Sequence, residues 1–455
     1  MKYLSTRNSA IRESFSNVLF QGLSKEGGLF LPESWPNIDI KNLKGKSYND
    51  VAFNIINPFL DDDISREDIF KIISNTYDNF DHPNIAPLIE ISEKKYILEL
   101  FYGPTFAFKD YALQLLGNLF YYFIEKLNKE ITVLGATSGD TGSAAINAFK
   151  DKNNINIFIL HPHNKISEVQ RKQMTTVLNK NVFNIAVEGN FDDCQKIVKD
   201  LFVDKEMQKK ISLTAINSIN WARLIAQTVY YFWAYLQSEE ERVSFIVPSG
   251  NFGNIFSARV AKHMGLPIDK LHIATNLNDS LHRSISEGKM NVNDVVETFS
   301  PSMDIQISSN FERQIFESLN GKSEEVIKVM TDLQKHNNYQ FNPNTIKKFQ
   351  KIYNSTSVSN EDTLKTISFF KKEYNYLADP HTATGLYVLE KLETDVPLIS
   401  LACAHPSKFG VAIKQAIGSE PSSPSSLKNI FDKEEKMTIL PNTTDTIKNF
   451  ILENI

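Results

Sequence analysis

Six short apolar runs, each separated from the next by a longer stretch, constrain the fold of this chain more than any other feature. They are rich in Ile, Val, Leu and Phe and are bounded by Gly, Pro, Ser or Asn, which is typical of buried β-strands. The runs are ITVLGATS, INIFILHP, VFNIAVEG, VSFIVPSG, LHIATN and VPLISLACAHP. The intervening stretches mostly show helical periodicity, so the pattern predicts an α/β fold with parallel sheets covered by helices.

The rest of the chain surrounds this alternating region. A length of 455 residues favours two or three domains. Residues 1 to about 95 mix short polar helices with turn signals such as EGGLFLPESWP, and they are predicted to form a separate N-terminal portion. Residues 280–375 are predicted to add outer helices. Near the end of the sequence, SEPSSPSS predicts a loop that is followed by a short helix.

Charge and cysteine content argue against several function classes. The net charge is −5 with no basic block, so neither nucleic acid nor an anionic membrane is an expected partner. Two cysteines are too few for a disulfide framework or a structural zinc site. The N-terminus is polar, and the apolar segment 113–124 is too short to span a bilayer. We therefore expect a cytoplasmic protein.

Two of the predicted strands run into glycine-rich turns that precede helices. The first turn follows residue 134 and contains three glycines among threonines, serines and an aspartate; the second, GNFGN, spans 250–254. Glycine lets the backbone approach a ligand, and the first amides of a helix favour an anion. Either turn alone could be a tight connection in a parallel sheet. Neither matches the P-loop or the dinucleotide fingerprint, and together they favour a ligand site.

Lys109 stands in an unusually apolar stretch, FYGPTFAFKDY. Its stem could lie across a core while the amine reaches water. Alternatively the amine is buried near a helix N-terminus, where its charged form is disfavoured and its pKa falls. A neutral amine attacks carbonyls and can form a Schiff base. Together with a phosphate-binding loop, this second alternative indicates pyridoxal phosphate as cofactor.

The chain resembles the threonine synthases, in the branch with an extended N-terminal region. Eight blocks in the family's order carry the resemblance over essentially the whole chain. They are EGGLFLPE (26–33), FYGPTFAFKD (101–110), GATSGDTGSAA (135–145), VQRKQMTT (169–176), NSINWARL (217–224), VPSGNFGN (247–254), SPSMDI (300–305) and CAHPSKF (403–409).

The resemblance implies a tryptophan-synthase-β-like, type II pyridoxal-phosphate fold with the active site between two α/β lobes. We place the N-terminal portion at 1–95, the first lobe with the cofactor lysine at 96–235, and the second lobe with the phosphate loop at 236–455. The family reaction converts O-phospho-L-homoserine and water to L-threonine and phosphate, the last step of threonine biosynthesis. The family branch also implies a monomer.

The resemblance assigns roles to particular residues. Lys109 would bond the cofactor aldehyde and exchange protons with the substrate. The cofactor phosphate would be held by Gly250, Asn251, Phe252, Gly253 and Asn254. The substrate would lie against Thr137, Ser138, Gly139, Asp140 and Thr141, and the candidates for its phosphate are Arg171 with Lys172, Asn217, Asn220 and Arg223.

One position departs from the family pattern. Where a threonine is expected to face the pyridine nitrogen of the cofactor, this chain has Cys403, whose thiol is a weak donor. Cys403 could face the nitrogen, or it could be a small buried hydrophobe while Ser407 takes that role. His381 and His405 lack closely spaced ligand companions, so no metal site is expected.

The sequence leaves two alternatives to a synthase open. A serine/threonine dehydratase or a phospholyase on the same fold would keep Lys109 and GNFGN but would release an oxo acid. A non-catalytic relative could bind a ligand without turnover. Retention of Lys109 and both loops argues against the latter.

Overall fold

The six apolar runs are strands of two separate sheets in the computed structural model, which describes residues 1–60 and 63–455. The strands are β1 (Tyr3–Ser5), β2 (Asn8–Glu13), β3 (Phe30–Pro32), β4 (Leu88–Ser92), β5 (Lys95–Glu99), β6 (Ile131–Ala136), β7 (Ile155–Pro162), β8 (Val182–Glu188), β9 (Leu213–Ala215), β10 (Val243–Pro248), β11 (Ile268–Thr275), β12 (Lys289–Asn291), β13 (Asn338–Gln340), β14 (Tyr353–Ser357), β15 (Leu398–Ala402) and β16 (Thr438–Pro441).

Helices cover these sheets and account for most of the remaining chain. They are α1 (Phe15–Gln21), α2 (Tyr48–Ile56), α3 (Arg66–Tyr77), α4 (Lys109–Leu127), α5 (Asp140–Phe149), α6 (Glu168–Thr175), α7 (Phe191–Val203), α8 (Lys205–Lys210), α9 (Trp221–Ser238), α10 (Gly253–His263), α11 (Ser280–Ser286), α12 (Phe311–Ser318), α13 (Ser323–His336), α14 (Pro343–Ile352), α15 (Asn360–Tyr374), α16 (Pro380–Lys391), α17 (Gly410–Ile417), α18 (Ser425–Lys428) and α19 (Thr444–Glu453). Short 3₁₀ turns include Pro301–Met303 and Pro406–Phe409.

The first large sheet has five strands in the order β16-β8-β7-β6-β9, all parallel. The second has six strands in the order β14-β11-β10-β15-β5-β4, parallel except for β4. Parallel strands joined through helices confirm the predicted α/β fold. A smaller antiparallel sheet, β2-β1-β3, belongs to the N-terminal portion.

Three strands pair outside the portions to which the predicted boundaries assign them. β4 ends before residue 95 and β5 begins there, and both belong to the sheet of the second lobe. β16 comes late in the chain and pairs with β8 of the first lobe. The division at 95 and 235 stays a prediction. Each of the two large sheets contains strands that are distant from one another in the sequence.

Helix α4 lies in the middle of the molecule and packs against α3, α5 and α9. Its residues 113–124 include most of its buried apolar side chains, as expected for a core helix. The N-terminal portion joins the same core, because the Tyr77 hydroxyl donates to the Tyr111 carbonyl at 2.9 Å. Within the residues that the structure describes, no helix is both long and apolar enough to cross a membrane.

Candidate active site

Lys109 is the first residue of α4, and its amine is enclosed by protein groups. The Nζ atom lies 3.1 Å from the Ser302 Oγ and 3.4 Å from the Asp140 Oδ2. The residue is only 8% exposed, so the amine does not extend into water. Burial lowers the pKa of Lys109, and the nearby Lys408 lowers it further, while Asp140 opposes both effects.

The loop before Lys109 is held by bonds at both of its ends. The Phe108 N–H donates to the Cys403 carbonyl at 2.8 Å, which ties the loop to the end of β15. The buried Asp110 carboxylate accepts from the Thr105 N–H at 2.8 Å and from the Thr105 hydroxyl at 2.7 Å. Asp110 therefore fixes the turn that precedes the lysine, in addition to standing in the first turn of α4.

Asp140 begins α5 and is the acidic group closest to Lys109. Its Oδ1 atom accepts from the Lys408 Nζ at 2.7 Å and from the Gln170 Nε2 at 2.8 Å. Burial would raise the pKa of Asp140, but Lys408, Lys109 and His381 hold it well below its usual range. The carboxylate is thus an anion enclosed by cationic and amide donors.

The hydroxyl-rich loop before α5 is shaped by Thr137. The Thr137 Oγ1 accepts from the Gly139 N–H at 2.9 Å and from the Gly142 N–H at 2.8 Å. Thr137 is buried and shapes the loop, whereas the side chains of Ser138 and Thr141 are partly exposed.

The loop 250–254 lies against Ser302, the residue that contacts Lys109. A Cβ added at Gly250 would lie 3.0 Å from the Met303 Cα and 3.1 Å from the Ser302 carbonyl oxygen, so the two segments touch. Phe252 has a left-handed backbone with φ of 64°, and its ring is buried against Phe311 and Tyr353. The glycine loop and the buried amine therefore belong to one site.

The same loop has the features that a phosphate group needs. Among the hydrogen bonds of residues 1–60 and 63–455, none uses a backbone N–H of residues 250–254 as donor. No side chain of the described residues caps the start of α10. The Asn254 Oδ1 is taken by the Tyr230 and Tyr231 hydroxyls, whereas its buried Nδ2 has no partner within the described chain. Free amides at a helix start suit an anion, so the residues fit the phosphate of pyridoxal phosphate.

Cys403 follows β15, and its backbone is held on both sides. Its N–H donates to the Thr382 Oγ1 at 2.8 Å, and its carbonyl accepts from Phe108. The thiol is buried, and burial raises its pKa well above the usual value. The alternative residue, Ser407, shares its hydroxyl with the His405 Nδ1 at 2.7 Å. The assignment of Cys403 or Ser407 as the residue that faces the pyridine nitrogen stays a prediction.

The candidates for the substrate phosphate occupy different environments. Arg223 is buried, its Nη1 donates to the Ile216 carbonyl at 2.9 Å, and its Nε has no partner among the described residues. Burial lowers the pKa of Arg223 to about 10.

The other candidates lie nearer the surface or are already bonded. Asn220 caps α9 by accepting from the Ala222 N–H, and Asn217 is exposed. Arg171 forms an ion pair with Glu435.

Lys172 pairs with the same Glu435 at 3.0 Å. Both cations of the VQRKQ block are therefore joined to the segment that precedes β16. Burial is the main cause of the low pKa of Lys109, and the charge of Arg223 lowers that pKa further.

Several residues of the site lie in blocks that sequence reasoning noted without assigning them a role. Ser302 belongs to SPSMDI, Gln170 to VQRKQ and Lys408 to CAHPSKF. His381 accepts from the Ser302 N–H through Nε2 at 3.2 Å and contacts the Asp379 Oδ1 through Nδ1 at 2.9 Å. In residues 1–60 and 63–455, no group of three or more His, Cys, Asp or Glu is arranged to hold a metal ion.

Three family models match successive parts of the chain. They are described as "Threonine synthase N terminus" over residues 2–77, "Pyridoxal-phosphate dependent enzyme" over 83–350 and "Threonine synthase, C-terminal" over 382–451. The second model alone covers more than half of the sequence, and the three leave only short intervals unmatched.

Full-length relatives give the same result. A threonine synthase of Pseudomonas aeruginosa is 43% identical, with 100% of this chain and 98% of the relative covered. The crystal structure of a pyridoxal-phosphate-bound threonine synthase from Brucella melitensis superposes with a TM-score of 0.97 at 42% identity, covering 100% of this chain and 99% of that one. A yeast threonine synthase structure gives a TM-score of 0.95 at 40% identity, with coverage of 100% and 98%.

Proposed function

The chain belongs to the threonine synthase family, and we propose that Lys109 and the loops around it carry out its reaction. With pyridoxal phosphate as cofactor, the enzyme converts O-phospho-L-homoserine and water to L-threonine and phosphate. The observation that carries the assignment of the site is the contact of Ser302 with both the Lys109 amine and Gly250. It joins the group that would bond an aldehyde to the loop that would bind a phosphate.

The cofactor is held in this proposal by two features. Lys109 bonds its aldehyde, and the free N–H groups of 250–254 with the Asn254 amide bind its phosphate. When bound, pyridoxal phosphate withdraws electrons from the substrate and makes the hydrogen on Cα acidic.

Lys109 also moves the protons of the reaction. Released from the cofactor, its Nζ accepts the proton from the substrate Cα and later returns one. The lowered pKa of Lys109 raises the fraction of neutral amine that can do this. Once protonated, the amine is adjacent to the Asp140 carboxylate, which stabilises its charge and holds it in position.

The substrate itself is bound by the two polar loops. In this proposal the Ser138 and Thr141 hydroxyls, on the loop shaped by Thr137 and Gly139, donate to its carboxylate. The leaving phosphate is a dianion that needs cationic partners, and Arg223 supplies a buried guanidinium whose Nε has no partner in the described part of the chain. Asn217, Asn220 and Arg171 complete the proposed set.

Product analysis tests the proposal directly. We expect O-phospho-L-homoserine to give threonine and phosphate in equal amounts, and an oxo acid with ammonia instead of threonine would contradict it. The Lys109→Ala variant should lose at least about 10³-fold in kcat and the visible absorbance of the cofactor–lysine bond. Retention of that absorbance in the variant would show that another residue carries the cofactor.

Two further proposals concern the oligomeric state of the protein and its location in the cell. We propose a monomer, as the family branch implies; the contacts of Asp140 with Lys109 and Lys408 are made within one chain. We propose a cytoplasmic location, in keeping with the two buried free cysteines. Sedimentation of the purified protein and fractionation of cells test these proposals.

A further inference from the structure

Lys408 is a lysine without any solvent contact. It lies in the 3₁₀ turn Pro406–Phe409 after β15, and its side chain is 0% exposed. The Nζ atom is 2.7 Å from the Asp140 Oδ1 and 2.8 Å from the Thr105 carbonyl oxygen. Fully buried lysines are rare and need a charged partner, so the contact with Asp140 accounts for its burial.

Asp140 is consequently shared by two lysines. Lys408 contacts one carboxylate oxygen, and Lys109 contacts the other at 3.4 Å. The two contacts differ in what the reaction does to them. Lys109 must be a neutral amine to attack the cofactor aldehyde, so its ammonium form is not available to Asp140 at every step, whereas Lys408 takes no part in any bond that changes. A buried carboxylate that loses its only cation is strongly destabilised.

We propose that Lys408 is a positioning residue for the reaction: it is the fixed cationic partner that holds the Asp140 carboxylate in place while Lys109 alternates between its bond to the cofactor and its free amine. Lys408 acts through Asp140 and the Thr105 carbonyl and does not touch the reacting atoms. The inference rests on the proposed function, because it takes Lys109 as the residue that bonds the cofactor.

The charged groups around the pair define what the removal of Lys408 should do. Burial lowers the pKa of Lys109, and Lys408 and Arg223 lower it further, against Asp140. Lys408, Lys109 and His381 lower the pKa of Asp140. Without Lys408, Asp140 loses its nearer cation and Lys109 loses a repelling one, so the pKa of Lys109 should rise.

Two other titratable groups face Lys408. It lowers the pKa of Asp110, whose burial has the larger and opposite effect. It also contributes to the low pKa of His405, which is about 4 chiefly because of burial. Both groups are tied to the loops that flank Lys109, and the loss of Lys408 should raise the pKa of each.

The test uses cofactor-free protein, in which the Lys109 amine is free at every pH. Trace acetic anhydride labels neutral amines, and mass spectrometry of the Lys109 peptide gives its titration curve. In Lys408→Met we expect the midpoint of Lys109 to move to higher pH, with about tenfold less neutral amine at a given pH. In the holoenzyme kcat should fall at least about tenfold while KM changes little.

A double-mutant cycle with Asp140→Asn shows whether Lys408 acts through that carboxylate. We expect Lys408→Met to add little to the kcat loss of Asp140→Asn, because the two residues work as one unit. The matched control is Lys448→Met, which removes a lysine of α19 that pairs with Asp204 and Glu206 at the start of α8 and should leave the Lys109 titration unchanged.

Three results would overturn the inference. One is an unchanged or lower midpoint of Lys109 in Lys408→Met, and another is full additivity of the two variants. If Lys408→Met does not fold, labelling of the wild type decides: a fixed Lys408 should resist acetylation at pH 8, and labelling as fast as the exposed Lys365 would refute it. The labelling of Lys109 and Lys408 and the additivity of the kcat losses do not depend on which product forms. A failure of the proposed reaction would be seen in the product analysis instead.

Discussion

Asp110 and Lys109 are adjacent and both buried, but their side chains serve different parts of the site. Lys109 faces Ser302 and Asp140, whereas Asp110 turns back to Thr105. The GPTF turn is thereby fixed by a carboxylate rather than by backbone bonds alone. The lysine that begins α4 is thus presented from a rigid loop, which preserves the geometry of its amine.

Burial raises the pKa of Asp110 to about 6, despite the bonds from Thr105. In the unfolded chain an aspartate titrates near 4. The folded state therefore binds this proton more tightly, and the stability it contributes is complete below about pH 4 and is lost as the pH rises through 6. Relative to Asp110→Asn, we expect the unfolding free energy of the wild type to fall by about 2 kcal/mol between pH 4 and pH 7.

Urea denaturation of both proteins across this pH range measures that difference. A difference that is the same at pH 4 and pH 7 would contradict the prediction. Activity is a poor readout in this case, because other groups of the site also titrate.

At the scale of elements, the start of α5 is the most constrained turn of the site. Gly139 has φ of 135°, and a Cβ added there would lie 2.3 Å from the Gln170 Cδ. Gln170 is the amide that donates to Asp140. A side chain at 139 would therefore displace Gln170 as well as strain the backbone.

We expect Gly139→Ala to lower kcat/KM by at least about tenfold and to destabilise the protein by about 1–3 kcal/mol. The control is Gly418→Ala at the end of α17, where φ is 75° and no atom of the described residues lies within 4 Å of an added Cβ. It should cost about 1 kcal/mol and leave kcat/KM unchanged. Equal kinetic losses in both variants would show that the contact with Gln170 is unimportant.

Elements with strong local signals could be predicted from the sequence, and the others could not. The six apolar runs are central strands because each carries its own hydrophobic signal. By contrast, β14 reads Tyr-Asn-Ser-Thr-Ser and is a strand only because it pairs with β11 at the edge of the sheet. β9 and β16 have three and four residues and depend on their neighbours in the same way.

The site follows the same rule. Lys109 and the glycine loops stand out locally, so sequence reasoning could assign them roles. Lys408, Ser302 and Gln170 meet Asp140 and Lys109 only in the folded chain, and no spacing in the sequence reveals such contacts. The resemblance supplied the blocks in which these residues lie but not the bonds between them.

At the scale of the whole molecule, Arg313 joins the N-terminal portion to the cofactor loop. This buried guanidinium donates to the Phe30 carbonyl at 3.0 Å, to the Ile219 carbonyl at 2.7 Å and to the Asn310 Oδ1. The Asn310 N–H in turn donates to the Asn251 carbonyl at 3.1 Å. One side chain therefore links β3, the segment before α9 and the loop 250–254.

Replacing Arg313 with Met should leave these three acceptors buried and unpaired, at a cost of about 3–5 kcal/mol in unfolding free energy. Urea denaturation measures this loss. The control, Arg12→Met, removes an exposed partner of Glu33 and should cost less than about 1 kcal/mol. A loss for Arg313→Met as small as that of the control would mean that the three acceptors find other donors.

The pairing of β16 with β8 has a consequence for synthesis on the ribosome. The other four strands of that sheet are complete at Ala215, whereas β16 begins at Thr438. At roughly 5–20 residues per second, the intervening chain takes about 10–45 s to translate. Throughout that interval β8 is an edge strand without β16 beside it, and its free edge can pair with a neighbouring nascent chain. Crowded polysomes and slow translation should therefore favour aggregation of this protein before its synthesis is complete.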